Sequence, residues 1–126
     1  MLITLVADMT PGASGIVRSR TGEWPATWRG ITSGQQGIQC DVEVAIGDEP
    51  VDLQTFQKNV PAKGIYVQDG RLTICGTLSV LEDGMAALDL EPGSILIETT
   101  DTISPSYSGR VACIHPEQVL LFPTDI

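Results

Sequence analysis

The residues best suited to covalent chemistry are one cysteine and one histidine two positions apart, Cys113 and His115. Side chains two positions apart on a β-strand point to the same face, so these two can lie next to each other. Such a pair acts as a nucleophile only where a third group orients the histidine and a cleft admits the substrate. The chain has no Gly-x-Ser-x-Gly, Gly-x-Gly-x-x-Gly or Walker lysine motif. We therefore predict a protein that is not an enzyme, with catalysis by Cys113 and His115 as the alternative.

Metal binding is the second chemistry to consider, because three cysteines and one histidine could supply four zinc ligands. Structural zinc sites take pairs of ligands from tight turns, whereas Cys40, Cys75 and Cys113 are far apart along the chain. We therefore predict no metal and no cofactor. The odd number and wide spacing also differ from the disulfide framework of a small secreted domain. This predicts buried, reduced thiols.

The N-terminal segment bears on the compartment. Residues 1–8 are mostly apolar but have no basic flank and end in an aspartate, which is unlike a signal peptide. No apolar run reaches the roughly 18 residues of a membrane span. Together with reduced thiols, these features predict a cytoplasmic protein that does not bind membranes.

Carboxylates dominate the charge of the 126-residue chain, since sixteen acidic residues against seven basic ones give a net charge of −9. Binding to nucleic-acid phosphates needs clustered lysine and arginine, so we predict no direct nucleic-acid partner. Five acids fall between residues 41 and 52, where there is no basic residue: Asp41, Glu43, Asp48, Glu49 and Asp52. They lack the oxygen spacing and central glycine of a calcium loop. Either they keep the protein soluble, or they form a docking face for a basic partner.

Two of the six aromatic residues, Trp24 and Trp28, lie in one short segment that is interrupted by Pro25. A tryptophan pair can fill the end of a hydrophobic core, or it can be exposed and anchor a partner through its large rigid ring. Both tryptophans therefore join the five carboxylates as candidate partner-binding residues.

The rest of the chain must position these side chains, and its short apolar runs, broken by glycines and prolines, are typical of β-structure. The clearest strand is 38–46, where apolar residues alternate with Gln39, Asp41 and Glu43. Asp69-Gly70 predicts the tight turn of a hairpin. Gly76 lies inside the following strand and predicts a bulge or a sharp bend. Only 52–60 has apolar residues at helical spacing, with Asp52 as the helix cap, and this short piece could equally form a turn-rich loop.

We therefore predict a single all-β domain over residues 1–126, with eight to ten short antiparallel strands and at most one short helix. A small, partly open barrel of the OB type suits this pattern. A two-sheet sandwich is the alternative.

Parts of the chain resemble small bacterial β-barrel proteins, and its broader profile resembles the immunity proteins of toxin systems. The matching segments are CDVEVAIGD at 40–48, KNV at 58–60, the hairpin centred on Gly84 and VLLFP at 119–123. The resemblance spans roughly residues 38–126. It implies an acidic, cytoplasmic, non-enzymatic inhibitor that binds a basic toxin such as a nuclease. The alternative is a structural module that oligomerises or docks a partner through an edge strand.

Overall fold

A computed structural model describes residues 1–124, and β-strands make up nearly all of the regular structure there. The strands are β1 (Leu2–Leu5), β2 (Ser14–Ser19), β3 (Gly22–Trp28), β4 (Gln39–Ala45), β5 (Gln54–Phe56), β6 (Gly64–Gln68), β7 (Arg71–Val80), β8 (Met85–Asp89), β9 (Ser94–Glu98), β10 (Val111–Ile114) and β11 (Leu120–Pro123). One 3₁₀ turn, Pro105–Tyr107, precedes β10. The mainly β fold class predicted from the sequence is confirmed.

Five strands form a closed barrel. Around its wall the order is β1, β2, β3, β11, β4 and back to β1. All neighbours are antiparallel except β3 and β11, which run parallel. The predicted small barrel is therefore present, but it is closed rather than partly open.

A second sheet is built entirely from the chain between β4 and β11, in the order β5, β10, β7, β8, β9. Its long central strand, β7, changes partner along one edge. β6 pairs with residues 71–75 and β8 with residues 77–80, while β10 pairs along the opposite edge. Apolar residues from the barrel and from the second sheet belong to one continuous core.

Gly76 lies at the point where β7 changes partner from β6 to β8, and it is buried. A Cβ atom at this position would lie 2.6 Å from the carbonyl oxygen of Asp89 and 3.0 Å from the Cδ2 of Leu90. The sequence predicts a bulge or bend here. The structure instead gives a close approach of two backbones, which only a residue without a side chain allows.

Replacing Gly76 with alanine should lower the free energy of unfolding by about 2 kcal/mol, because the added methyl group meets backbone that cannot move aside cheaply. Urea denaturation followed by circular dichroism measures this. Gly47→Ala is the matched control, since its Cβ would meet only the Gln118 side chain, at 3.7 Å. Equal denaturation midpoints for the two variants would contradict the close packing at Gly76.

The helix predicted for residues 52–60 is wrong. The segment contains the short strand β5, whose Phe56 pairs with Val111 of β10. Asp52 caps no helix, and its carboxylate accepts a hydrogen bond from the Thr100 hydroxyl. The apolar spacing that suggested a helix is overridden by pairing with a strand more than fifty positions away, which local propensity does not report.

The prediction of reduced thiols is wrong for two of the three cysteines. Cys75 of β7 and Cys113 of β10 are directly opposite each other in the sheet register and form a disulfide. Cys40 is buried on the inner side of β4. Because β7 and β10 are separated by two strands along the chain, the spacing of the cysteines gives no sign that they meet.

Candidate functional site

Strand β4 presents the first two candidate carboxylates. Cys40 and Val42 are buried in the barrel, while Asp41 and Glu43 are exposed on its outer wall. This is the period-two alternation expected of a strand with one wet face, and it confirms the orientation predicted from the sequence.

The two carboxylates of β4 differ in their surroundings. The ammonium group of Met1 donates a hydrogen bond of 2.9 Å to the Asp41 carboxylate, and this hydrogen bond and its charge lower the pKa of that carboxyl. The backbone carbonyl of Asp41 also accepts from the amide of Thr124, at 3.1 Å. Glu43 makes no salt bridge with any residue from 1 to 124. Glu43 therefore carries the less compensated negative charge of the pair.

These carboxylates border a groove of 490 Å³ between β4 and the turn that joins β8 to β9. We call it the β4 groove. One side is formed by β4 from Asp41 to Val44, and the other by Leu90, Pro92, Gly93 and Ser94. Met1 and Thr124 complete the lining, and because the Met1 ammonium pairs with Asp41, Glu43 is the uncompensated charge of this groove.

The other three candidate carboxylates lie in a separate groove of 420 Å³, which we call the 48–52 groove. No residue lines both grooves. Asp48, Glu49 and Asp52 are all exposed, and Glu117 adds a further carboxylate. The same groove is also lined by two groups that can carry positive charge, Arg71 and His115. The acidic segment predicted as one face therefore divides into two.

The structure gives no support to a cysteine–histidine dyad. The Cys113 sulfur is bonded to Cys75 and is not a thiol that could ionise. His115 is exposed, and its Nδ1 lies 3.2 Å from the Thr73 hydroxyl and 3.3 Å from the carbonyl oxygen of Leu72. These contacts hold the imidazole against β7, so the two residues make no catalytic arrangement in the described chain.

Trp24 and Trp28 are both core residues, with exposed fractions of 0% and 3%. The indole N–H of Trp24 donates to the Ser19 hydroxyl at 2.9 Å, and that of Trp28 to the carbonyl of Thr32 at 2.8 Å. Each polar edge is therefore satisfied inside the fold. This corrects their selection as partner anchors, because neither ring can reach a partner in this structure.

Two exposed apolar side chains beside the β4 carboxylates were missed. Leu2 is 54% exposed and pairs with Asp41 across β1 and β4, while Phe122 is 41% exposed and pairs with Glu43 across β4 and β11. The sequence hides them because each lies in an almost continuous apolar run. Only the register of the closed barrel shows which members of those runs face outward.

In residues 1–124, no three or more histidine, cysteine or acidic side chains are placed to hold a metal ion. The same part of the chain contains no helix with the length and hydropathy needed to cross a membrane. Comparison with known protein families, with curated proteins and with solved structures finds no match.

Proposed function

We propose that this chain is a non-enzymatic binding module of the immunity type, which neutralises a basic bacterial toxin such as a nuclease. The observation that carries the proposal is the exposure of five carboxylates along two grooves of a protein whose net charge is −9. A nuclease surface that binds phosphates is positively charged, so it is complementary to these grooves. The carboxylates take the place of the phosphate oxygens.

The physics of such a complex is electrostatic steering. Opposite potentials on two proteins accelerate their encounter, and the acceleration weakens as salt screens the charges. The acidic grooves also repel nucleic acid, so the inhibitor itself would not bind the nucleic acid on which the toxin acts. An inhibitor with this surface needs no catalytic group, only carboxylates on a rigid scaffold.

The test is stopped-flow association with a toxin domain encoded next to this chain. Glu43→Lys and Glu49→Lys, one from each groove, should each slow association about 10-fold or more at low salt if its groove takes part. Glu82→Lys is the matched control, because it makes the same change in net charge at an exposed turn outside both grooves. Absence of binding at micromolar concentration, or equal slowing by all three variants, would contradict the proposal.

A second candidate function is an assembly module that pairs through an edge strand. It is favoured by β9, which ends the second sheet and has Leu96 61% exposed. Association through β9 would depend on backbone hydrogen bonds rather than on carboxylates. Under this alternative, Glu43→Lys and Glu49→Lys leave association and its salt dependence unchanged.

A further inference from the structure

We infer that the partner is held beside the β4 groove, by an amphipathic patch on the outer wall of the barrel where Leu2 and Phe122 flank Asp41 and Glu43. We call this the Leu2–Phe122 patch. Its occupant is an extended protein segment that carries apolar side chains beside arginine or lysine. The inference rests on the proposed function and narrows it to a location and a chemistry.

The register of the barrel places the four side chains together. Leu2 is opposite Asp41, and Phe122 is opposite Glu43, on the two neighbours of β4. Directly opposed residues have Cβ atoms about 5 Å apart, and Asp41 and Glu43 are consecutive outward positions of one strand. The patch therefore consists of two adjacent carboxylates with one apolar side chain on either side, and Glu43 is the carboxylate that the Met1 ammonium leaves uncompensated.

Ten large apolar side chains are exposed in residues 1–124, and among those in paired strands Leu2 and Phe122 are the two that lie directly opposite carboxylates. Leu2 and Phe122 remain 54% and 41% exposed although the barrel has a well-packed interior close by. Interface hot spots are commonly large apolar or aromatic residues that a partner desolvates. Phe122 fills here the role that the sequence suggested for the buried tryptophans.

The β4 groove extends the patch and gives it depth. Val44, Pro92 and Gly93 continue the lining beyond Glu43, so the 490 Å³ cleft has apolar walls as well as carboxylates. A lysine or arginine side chain can lay its methylene stem on such walls while its charged end reaches Glu43. The combination of apolar walls and Glu43 therefore suits a segment in which basic and apolar residues are neighbours.

The 48–52 groove is the competing location. It is lined by four carboxylates and Arg71, so it carries more net negative charge than the β4 groove, where the Met1 ammonium already pairs with one of the two carboxylates. None of the large apolar side chains that line it is exposed, since Ile46 is buried and Val51 is half-buried. A purely basic segment would therefore suit the 48–52 groove, whereas a segment that also carries apolar side chains suits the Leu2–Phe122 patch.

The probes are two fluorescently labelled six-residue peptides, one alternating arginine with leucine and the other alternating arginine with serine. Fluorescence anisotropy at low salt should give at least about 10-fold tighter binding of the arginine–leucine peptide, because only its side chains cover Leu2 and Phe122. Amide NMR shifts should change in β1, β4 and β11. Equal affinity of the two peptides, or shifts confined to 48–52, would overturn the inference.

Variants separate this inference from the proposed function. Leu2→Ser with Phe122→Ser should remove the preference for the arginine–leucine peptide. Leu96→Ser, at a position on β9 that is 61% exposed, should keep that preference. The amide spectrum reports whether the double variant is folded. If the double variant is unfolded, Glu43→Lys tests the patch with the apolar pair intact. This substitution should weaken binding of the arginine–leucine peptide more than Glu49→Lys does.

Two results distinguish the failures. In the first, the toxin domain binds, Glu49→Lys weakens that binding, and the Leu2 and Phe122 double variant leaves it unchanged. This result overturns the patch and leaves the inhibitory function standing. If neither the toxin domain nor either peptide binds the wild-type chain at low salt, the proposed function itself is overturned.

Discussion

Replacing Trp24 with alanine should lower the free energy of unfolding by about 4 kcal/mol, because it removes the largest fully buried side chain in the described core. The ring projects inward from β3, so its loss leaves a cavity in the barrel. The Ser19 hydroxyl also loses the indole N–H that donates to it at 2.9 Å. Urea denaturation followed by circular dichroism is the measurement, since fluorescence would lose one of its two reporters.

Two controls interpret that result. Trp24→Phe keeps one aromatic ring in the core, so it should lower the free energy of unfolding by clearly less than Trp24→Ala does. Ile31→Ala removes an apolar side chain that is 93% exposed, so its effect should be within about 0.5 kcal/mol of zero. A Trp24→Ala loss as small as that of Ile31→Ala would mean that Trp24 is not in the core, and would restore it as a partner anchor.

Removing the disulfide by Cys75→Ala with Cys113→Ala should lower the free energy of unfolding by up to about 4 kcal/mol. The two cysteines are 38 positions apart, and a cross-link that closes a loop of this size restricts the unfolded chain by roughly that amount. Alanine is preferred to serine because both positions are buried. Thermal and urea denaturation of the oxidised proteins provide the comparison.

Dithiothreitol supplies the control for the disulfide. It should lower the stability of the wild-type chain and leave the double variant unchanged. Cys40→Ala keeps the disulfide, so its stability should fall on reduction as the wild type's does. Three titratable thiols in the unfolded, unreduced protein would contradict the pairing of Cys75 with Cys113.

The disulfide also bears on the compartment. Disulfides persist in oxidising environments and are rare in the cytoplasm. The sequence-based expectation of a cytoplasmic protein relied in part on reduced thiols, and the cross-link between β7 and β10 removes that ground. The cytoplasmic location therefore stays a prediction.

Local features of the fold were predictable. The alternation at 38–46 fixed both the strand β4 and the outward direction of Asp41 and Glu43, because side-chain direction in a strand depends on the strand alone. The Asp69-Gly70 turn was equally readable. Both residues have positive φ, 53° and 74°, as a tight hairpin between β6 and β7 requires.

Features that depend on distant partners were not predictable. The strand at β5, the pairing of Cys75 with Cys113 and the exposure of Phe122 all follow from which strands become neighbours. The five carboxylates are all exposed, but the chain leaves β4 after Ala45 and carries its later carboxylates into another groove. Sequence proximity therefore overstated how far the five acids act as one surface.

The position of the second sheet, between β4 and β11, has a consequence for how the barrel forms. The barrel wall closes when β11 pairs with β3, where Leu120 is opposite Thr27. Every strand of the second sheet precedes β11 in the chain, so the whole second sheet is synthesised before the barrel can close. Until then the outer edges of β3 and β4 have no partner, and unpaired edges invite wrong association. A disordered connection of that length would make closure entropically costly. Folded early, the sheet acts as a short rigid connection that delivers β11 to its place.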